Sequence, residues 1–91
     1  MLYNKSRIII FKGNVVCPRC DGNGLIYKAL LTPIHQEIFI CDECDAMWLS
    51  PCIDKGTFQN FTTYIESFGY SYDEVELENV VYDWYKKENF C

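Results

Sequence analysis

Four of the six cysteines fall in two pairs, Cys17-Pro-Arg-Cys20 and Cys41-Asp-Glu-Cys44, with twenty residues between them. Two residues between cysteines let one tight turn aim both sulfurs at a single point, and a pair of such turns is the spacing of a four-thiolate zinc site. Four sulfurs complete the zinc tetrahedron and leave no open position for water, so a zinc held this way is structural and not hydrolytic. Iron in the same cage, or two disulfides, are the other readings of the pattern. Gly22 and Gly24 follow the first pair, where a residue that tolerates positive φ lets the chain leave the turn.

The remaining candidates for chemistry are few. His35 is the lone histidine and falls in a turn, away from the cysteine pairs. Cys52 follows Pro51 in a linker and reads as a small apolar residue, and Cys91 is terminal; neither has the basic neighbour that makes a thiol reactive. The carboxylates Asp73, Glu74, Glu76 and Glu78 read as a solvated acidic face. No nucleophile–base pair emerges, so the sequence predicts a protein that is not an enzyme.

The elements that must position the cysteines are β-rich. Residues 7–11 (RIIIF) read as a strand, followed by Val15-Val16 and the first pair. Residues 25–31 and 36–40 form a hairpin through Thr32-Pro33-Ile34-His35 that delivers the second pair beside the first. Residues 46–49 add a short strand, closing a sheet over 7–49. After a linker at 50–56, Phe58, Phe61, Ile65 and Phe68 share one helical face, which predicts a helix over 57–68 with Thr57 as N-cap and Gly69 as stop. Residues 73–78 suit a short helical turn, and 80–85 (VVYDWY) suit a strand by residue type, so 70–91 is an irregular or β segment. The expectation is one α+β domain: a small antiparallel sheet stapled by metal, with one packed helix.

Charge is unevenly spread over a chain of net charge −5. Residues 1–28 carry five cationic side chains against one carboxylate, and 29–91 carry three against twelve. Ten of the fifteen aromatic residues lie after position 57. Tyr70, Tyr72, Tyr82, Trp84 and Tyr85 are interleaved with Asp73, Glu74, Glu76, Glu78 and Asp83, which together form a candidate surface for a basic protein partner. The acidic balance argues against coating nucleic acid, although Lys5, Arg7, Lys12, Arg19 and Lys28, with Tyr27 for stacking, define an alternative phosphate-contacting patch. No apolar run approaches the ~20 residues of a membrane span. The first residues, MLYNKSRIIIFKG, lack the apolar stretch and cleavage site of a secretory signal, which predicts a reducing cytoplasm.

Cys17-Pro-Arg-Cys20-Asp-Gly22-Asn-Gly24 resembles the CxxCxGxG repeat of DnaJ-type chaperones over eight residues, but Cys44 is followed by Asp-Ala-Met and no second GxG. The resemblance implies a shared metal-binding turn and not a chaperone; a chaperone-like adaptor stands separately as a third reading of the chain. Residues 17–49 resemble the zinc ribbon of transcription and translation proteins, which implies the metal and leaves function open. In size, charge and aromatic content the whole chain resembles small acidic bacterial immunity proteins of contact-dependent growth inhibition systems. That resemblance implies an inhibitor that binds and neutralises a nuclease-type toxin domain.

Overall fold

The computed structural model describes residues 9–87. Strand β1 (Ile9–Phe11) and strand β2 (Asn14–Val16) form a hairpin closed by Lys12-Gly13, both at positive φ, the backbone of a two-residue turn that matches strand twist. Strand β3 (Leu25–Thr32) is the hub. One of its edges pairs with β4 (Gln36–Cys41) along six residues. Its other edge is shared: β2 takes Leu25 and Ile26, and β7 (Glu76–Val81) takes Lys28 to Thr32 across a bulge. Strand β5 (Ala46–Trp48) pairs with β4, and β6 (Gln59–Asn60) with β5. Every pairing is antiparallel, and the sheet curls into a half-barrel carrying one short helix, α1 (Phe61–Glu66).

Alternation along the strands sorts side chains into two cores. Phe39 and Cys41 of β4 and Ala46 and Trp48 of β5 join Val15, Cys17, Ile26, Ile53 and Trp84 on one face. Ile38 and Ile40, with Met47, join Leu31, Phe61 and Ile65 on the other. Because β4 and β5 are covered on both faces, their sequences read as nearly unbroken apolar runs.

The helix is shorter than the 57–68 that periodicity predicts. Gln59 and Asn60 pair onto β5, and Thr57 turns back on Asp54, donating both its N–H and its hydroxyl to the Asp54 carbonyl. The start is set from a distance. Asp45 accepts the Phe61 N–H on its carbonyl at 2.7 Å, and its carboxylate accepts the Thr62 N–H and hydroxyl. The apolar stripe splits accordingly: Phe61 and Ile65 are buried, Phe58 packs on the other core, and Phe68 is 51% exposed. Gly69, at φ +87°, ends the helix through bonds from its own N–H to Glu66 and from Tyr70 N–H to Ile65.

The segment after α1 also differs from expectation. The helical turn falls at Tyr72–Glu74, the strand at β7, and a second 3₁₀ turn at Trp84–Lys86. Glu74 accepts the Ser71 N–H at 2.7 Å and Asp73 accepts the Ser71 hydroxyl at 2.6 Å, so these carboxylates close a turn as well as facing solvent.

Candidate metal centre and the groove beside it

Each cysteine turn hangs from a strand end. Cys17 follows β2 and Cys41 ends β4, and the two meet because β2 and β4 flank the start of β3. Cys17 N–H donates to the Gly24 carbonyl and Asp42 N–H to the Leu25 carbonyl, which draws the turns together. The four sulfurs lie within 4.8 Å of one another. Across the turns, Cys17 Sγ is 3.8 Å from Cys44 Sγ and Cys20 Sγ is 3.7 Å from Cys41 Sγ. A tetrahedron with metal–sulfur arms of ~2.3 Å has edges of ~3.8 Å. The separations fit that edge, and all four thiols are free, which removes the disulfide reading for these residues. Four cysteines are therefore positioned to bind a metal ion.

The surroundings pull the thiols in opposite directions. Cys41 Sγ accepts the Glu43 and Cys44 N–H groups, each at 3.3 Å. Burial pushes the Cys17 thiol up to about 11, against opposing N–H donors at Cys20 and Arg19. Burial pushes Cys41 up as well. Cys44 feels the same burial, but the Ala46 N–H, the Arg19 guanidinium and the neighbouring sulfurs outweigh it and bring the thiol below its ordinary value. A bound cation offsets the burial that opposes ionisation, so metal uptake releases protons from this cage. Arg19 also lies over the Phe58 ring, 4.8 Å from its centroid, and is fixed there.

Glycine serves the cage in two ways. Gly22 sits at φ +85°, as the turn requires. Gly24 is not at positive φ: it is needed for closeness, because a Cβ there would run into Cys41 Sγ and the Glu43 backbone. The sequence pattern marks both positions but gives one reason for the two.

The second turn carries two carboxylates whose roles the sequence hides. Asp42 Oδ1 accepts the Leu25 N–H at 2.9 Å, and Oδ2 accepts the Tyr82 hydroxyl at 3.1 Å. Asp45 caps α1, as described. Between this turn, α1 and β7 lies a cavity of about 440 Å³, lined by Tyr27, Tyr72, Tyr82, Asp42, Glu43 and Asp45 over a floor that includes Ile40, Phe61 and Leu77. Tyr27 and Tyr82 contact at 5.2 Å between ring centroids, and Phe61 meets Tyr72 edge-on at 5.9 Å.

The structure separates the surface expected from residues 70–85. Trp84 is 2% exposed, donates its indole N–H to the Ile26 carbonyl at 2.9 Å and packs edge-on against Phe39. It belongs to the core and is not available to a partner, a correction that follows from the chain turning inward after β7. Tyr85 is half-buried with its hydroxyl on the Gly13 carbonyl, and Tyr70 is half-buried against α1. Tyr72, Asp73, Glu74, Glu76, Glu78 and Asp83 are exposed. Only Tyr72 and Tyr82 of that set line the groove.

The alternative basic patch is also divided. Arg19 is turned to the cage, Lys28 pairs with Glu37 at 3.6 Å, and Tyr27 faces carboxylates. Lys5 and Arg7 lie outside the described residues, as does Cys91. His35 is exposed in the β3–β4 turn at φ +65°. Cys52 is disulfide-bonded, contrary to its reading as a small apolar residue. Among the described residues, no helix is long and apolar enough to cross a membrane. The chain matches no protein-family model, no curated protein and no solved structure.

Proposed function

We propose that this chain is a non-enzymatic zinc protein whose metal-stapled half-barrel binds a basic protein partner, in the manner of an immunity protein that neutralises a toxin domain. The observation that carries the metal half is the closed set of four sulfurs with cross-turn separations of 3.7 and 3.8 Å. All four positions around the ion are then thiolate, which makes the site a staple and leaves no place for a reacting water. A tetrahedral four-thiolate cage suits zinc and iron alike, and zinc is the ion proposed because this reading gives the site no redox role. The partner half rests on charge and shape: among the described residues, the groove beside the cage is lined by three carboxylates and no cationic side chain. The four free thiols suit a reducing compartment and the Cys52 disulfide an oxidising one, so cell fractionation decides the cytoplasmic location included in this proposal.

Two measurements test it. Elemental analysis of protein purified without added metal is expected to give one zinc per chain; visible charge-transfer absorption would assign iron instead. Co-expression with a nuclease-type toxin domain encoded beside it is expected to give a salt-sensitive complex and to protect cells. Failure of both complex formation and protection would leave the zinc site and end the toxin-neutralising reading.

A further inference from the structure

We infer that the groove beside the second cysteine turn is a socket for one arginine side chain of a basic polypeptide. The inference deepens the partner-binding reading above and rests on it. Three features on the groove wall point to a guanidinium. The first is a carboxylate with nothing to do: among the described residues the Glu43 side chain makes no hydrogen bond or ion pair, its N–H alone being bonded, while the carboxylates of its neighbours Asp42 and Asp45 are held by Tyr82, Leu25 and Thr62. Glu43 is therefore the carboxylate left to form a two-pronged pair with an incoming fork of N–H donors.

The second feature is the rings. Tyr27 and Tyr82 contact each other at an interplanar angle of 41°, and Tyr72 also lines the groove, 69% exposed and edge-on to Phe61. A planar cation stacks on such faces, and a guanidinium does so more readily than an ammonium because it is flat and more weakly hydrated. The third is sign and size. A cavity of about 440 Å³ with three carboxylates and, among the described residues, no lysine, arginine or histidine on its wall fits a cationic side chain and repels phosphate.

The anchoring of the site is independent of its ligand. Asp42 and Asp45 are fixed to β3 and α1, and the turn that carries Glu43 is bonded through its backbone to Cys41 Sγ. The metal cage therefore holds the socket's acidic wall in place before anything enters, which lowers the ordering cost of binding. This gives the metal a role in recognition beside a groove whose wall Cys41 and Cys44 also line.

The test titrates the zinc-loaded full chain, isotopically labelled, with the tripeptide Gly-Arg-Gly, blocked at both ends, and reads amide and tyrosine ring shifts. Saturable shifts confined to residues 42–45, Tyr27, Tyr72 and Tyr82 are expected, with weaker binding of Gly-Lys-Gly and none of the neutral citrulline peptide. Glu43→Gln and Tyr72→Ala, both at exposed positions that leave the fold standing, are expected each to weaken the arginine peptide about fivefold to tenfold, while Glu66→Gln on the far side of α1 leaves it unchanged. Absence of saturable shifts, equal binding of lysine and arginine peptides, or indifference to Glu43→Gln overturns the socket. The two readings fail separately: a toxin complex that forms equally well with both groove variants keeps the partner and removes the socket, whereas arginine-peptide binding without any toxin complex keeps the socket and removes the toxin.

Discussion

The two cysteine turns do the same job with different materials. The first, 17–24, is built from backbone. Gly22 N–H bonds the Cys17 carbonyl, Asn23 N–H bonds the Cys20 carbonyl, Asp21 and Gly22 take positive φ, and Gly24 lies bare against Cys41 Sγ. The second, 41–46, is built from side chains. Asp42 ties it to β3 and to Tyr82 beyond β7, and Asp45 ties it to α1. The first turn thus fixes the distance between the two turns, and the second distributes that fixed point to three other elements. The difference teaches that a metal clip only joins two loops; what makes it the centre of a fold is the set of bonds each loop sends outward.

The largest effect should come from removing that shared clip, because it erases the distinction between the turns. Cys17→Ser and Cys41→Ser are expected to behave alike, losing the metal and the cooperative thermal transition. Structural zinc contributes ~10–16 kcal/mol in apparent terms to small zinc-bound folds, which matches or exceeds a ~5–15 kcal/mol total stability. Circular dichroism melting with metal analysis of the same samples checks this. A variant that retains a sharp transition without metal would show that the two cores stand unaided.

The next effect separates the first turn from an ordinary glycine turn. Gly24→Ala must displace either the Cys41 sulfur or the Glu43 backbone, neither of which is a flexible side-chain end. The expected cost is ~3 kcal/mol or more, with metal affinity down at least ~10-fold, as overpacking at a ligand implies. Gly13→Ala, at φ +81° in open space, should cost only ~1–2 kcal/mol from backbone strain and leave metal affinity unchanged. Equal effects on metal affinity would mean that the turns do not depend on close approach.

Legibility followed the range of the physics. The cage was readable because its signal is local twice over: two residues within each pair set the aim of the sulfurs, and the hairpin between them has a length that the Thr32 to His35 turn announces. The sheet through β5 was readable from residue type and alternation. What escaped was decided across long separations. The start of α1 is set by Asp45, which lies beside a cysteine and looks like surface charge. Trp84 sits in a stretch whose composition says strand, yet its indole finds the Ile26 carbonyl fifty-eight residues earlier and pulls the chain into a turn. The edge of β3 that accepts β7 is free only because β2 is three residues long, and no local pattern near Glu76 reports that. The groove inherits this: two of its three wall carboxylates, Asp42 and Glu43, were in view as part of a metal motif, where carboxylates attract no notice.

Within the second turn the carboxylates should rank by what they hold. Asp45→Ala removes the cap from α1 and is expected to cost ~1–2 kcal/mol, and Asp42→Ala, which loses an amide and a phenol donor near the surface, about the same. Urea midpoints read both. In each case metal stoichiometry should stay at one, since the sulfurs and their N–H donors are untouched. Loss of metal from either variant would mean that the second turn, like the first, shapes the cage directly.

The smallest effect appears only in alkali and isolates one bond of that set. Burial, with the bond to Asp42, pushes the Tyr82 phenol from 10.0 up to about 12. A phenol that ionises later in the folded chain than in the unfolded one favours the fold fully below its ordinary value. The advantage is lost as pH rises from there through about 12, because the unfolded chain gives up its proton first and gains stability that the folded chain cannot match. Tyr82→Phe should therefore lower stability slightly at neutral pH, where the bond to Asp42 is missing, and flatten the decline above pH 10. The decline should not vanish, because burial, followed by the charges of Tyr72 and Asp42, raises Tyr27 too. Comparing the two proteins at each pH cancels the lysines that titrate in the same range, so the difference curve belongs to this phenol. A difference that stays constant from pH 8 to pH 12 would place Tyr82 in solvent and detach the second cysteine turn from the strand beside it.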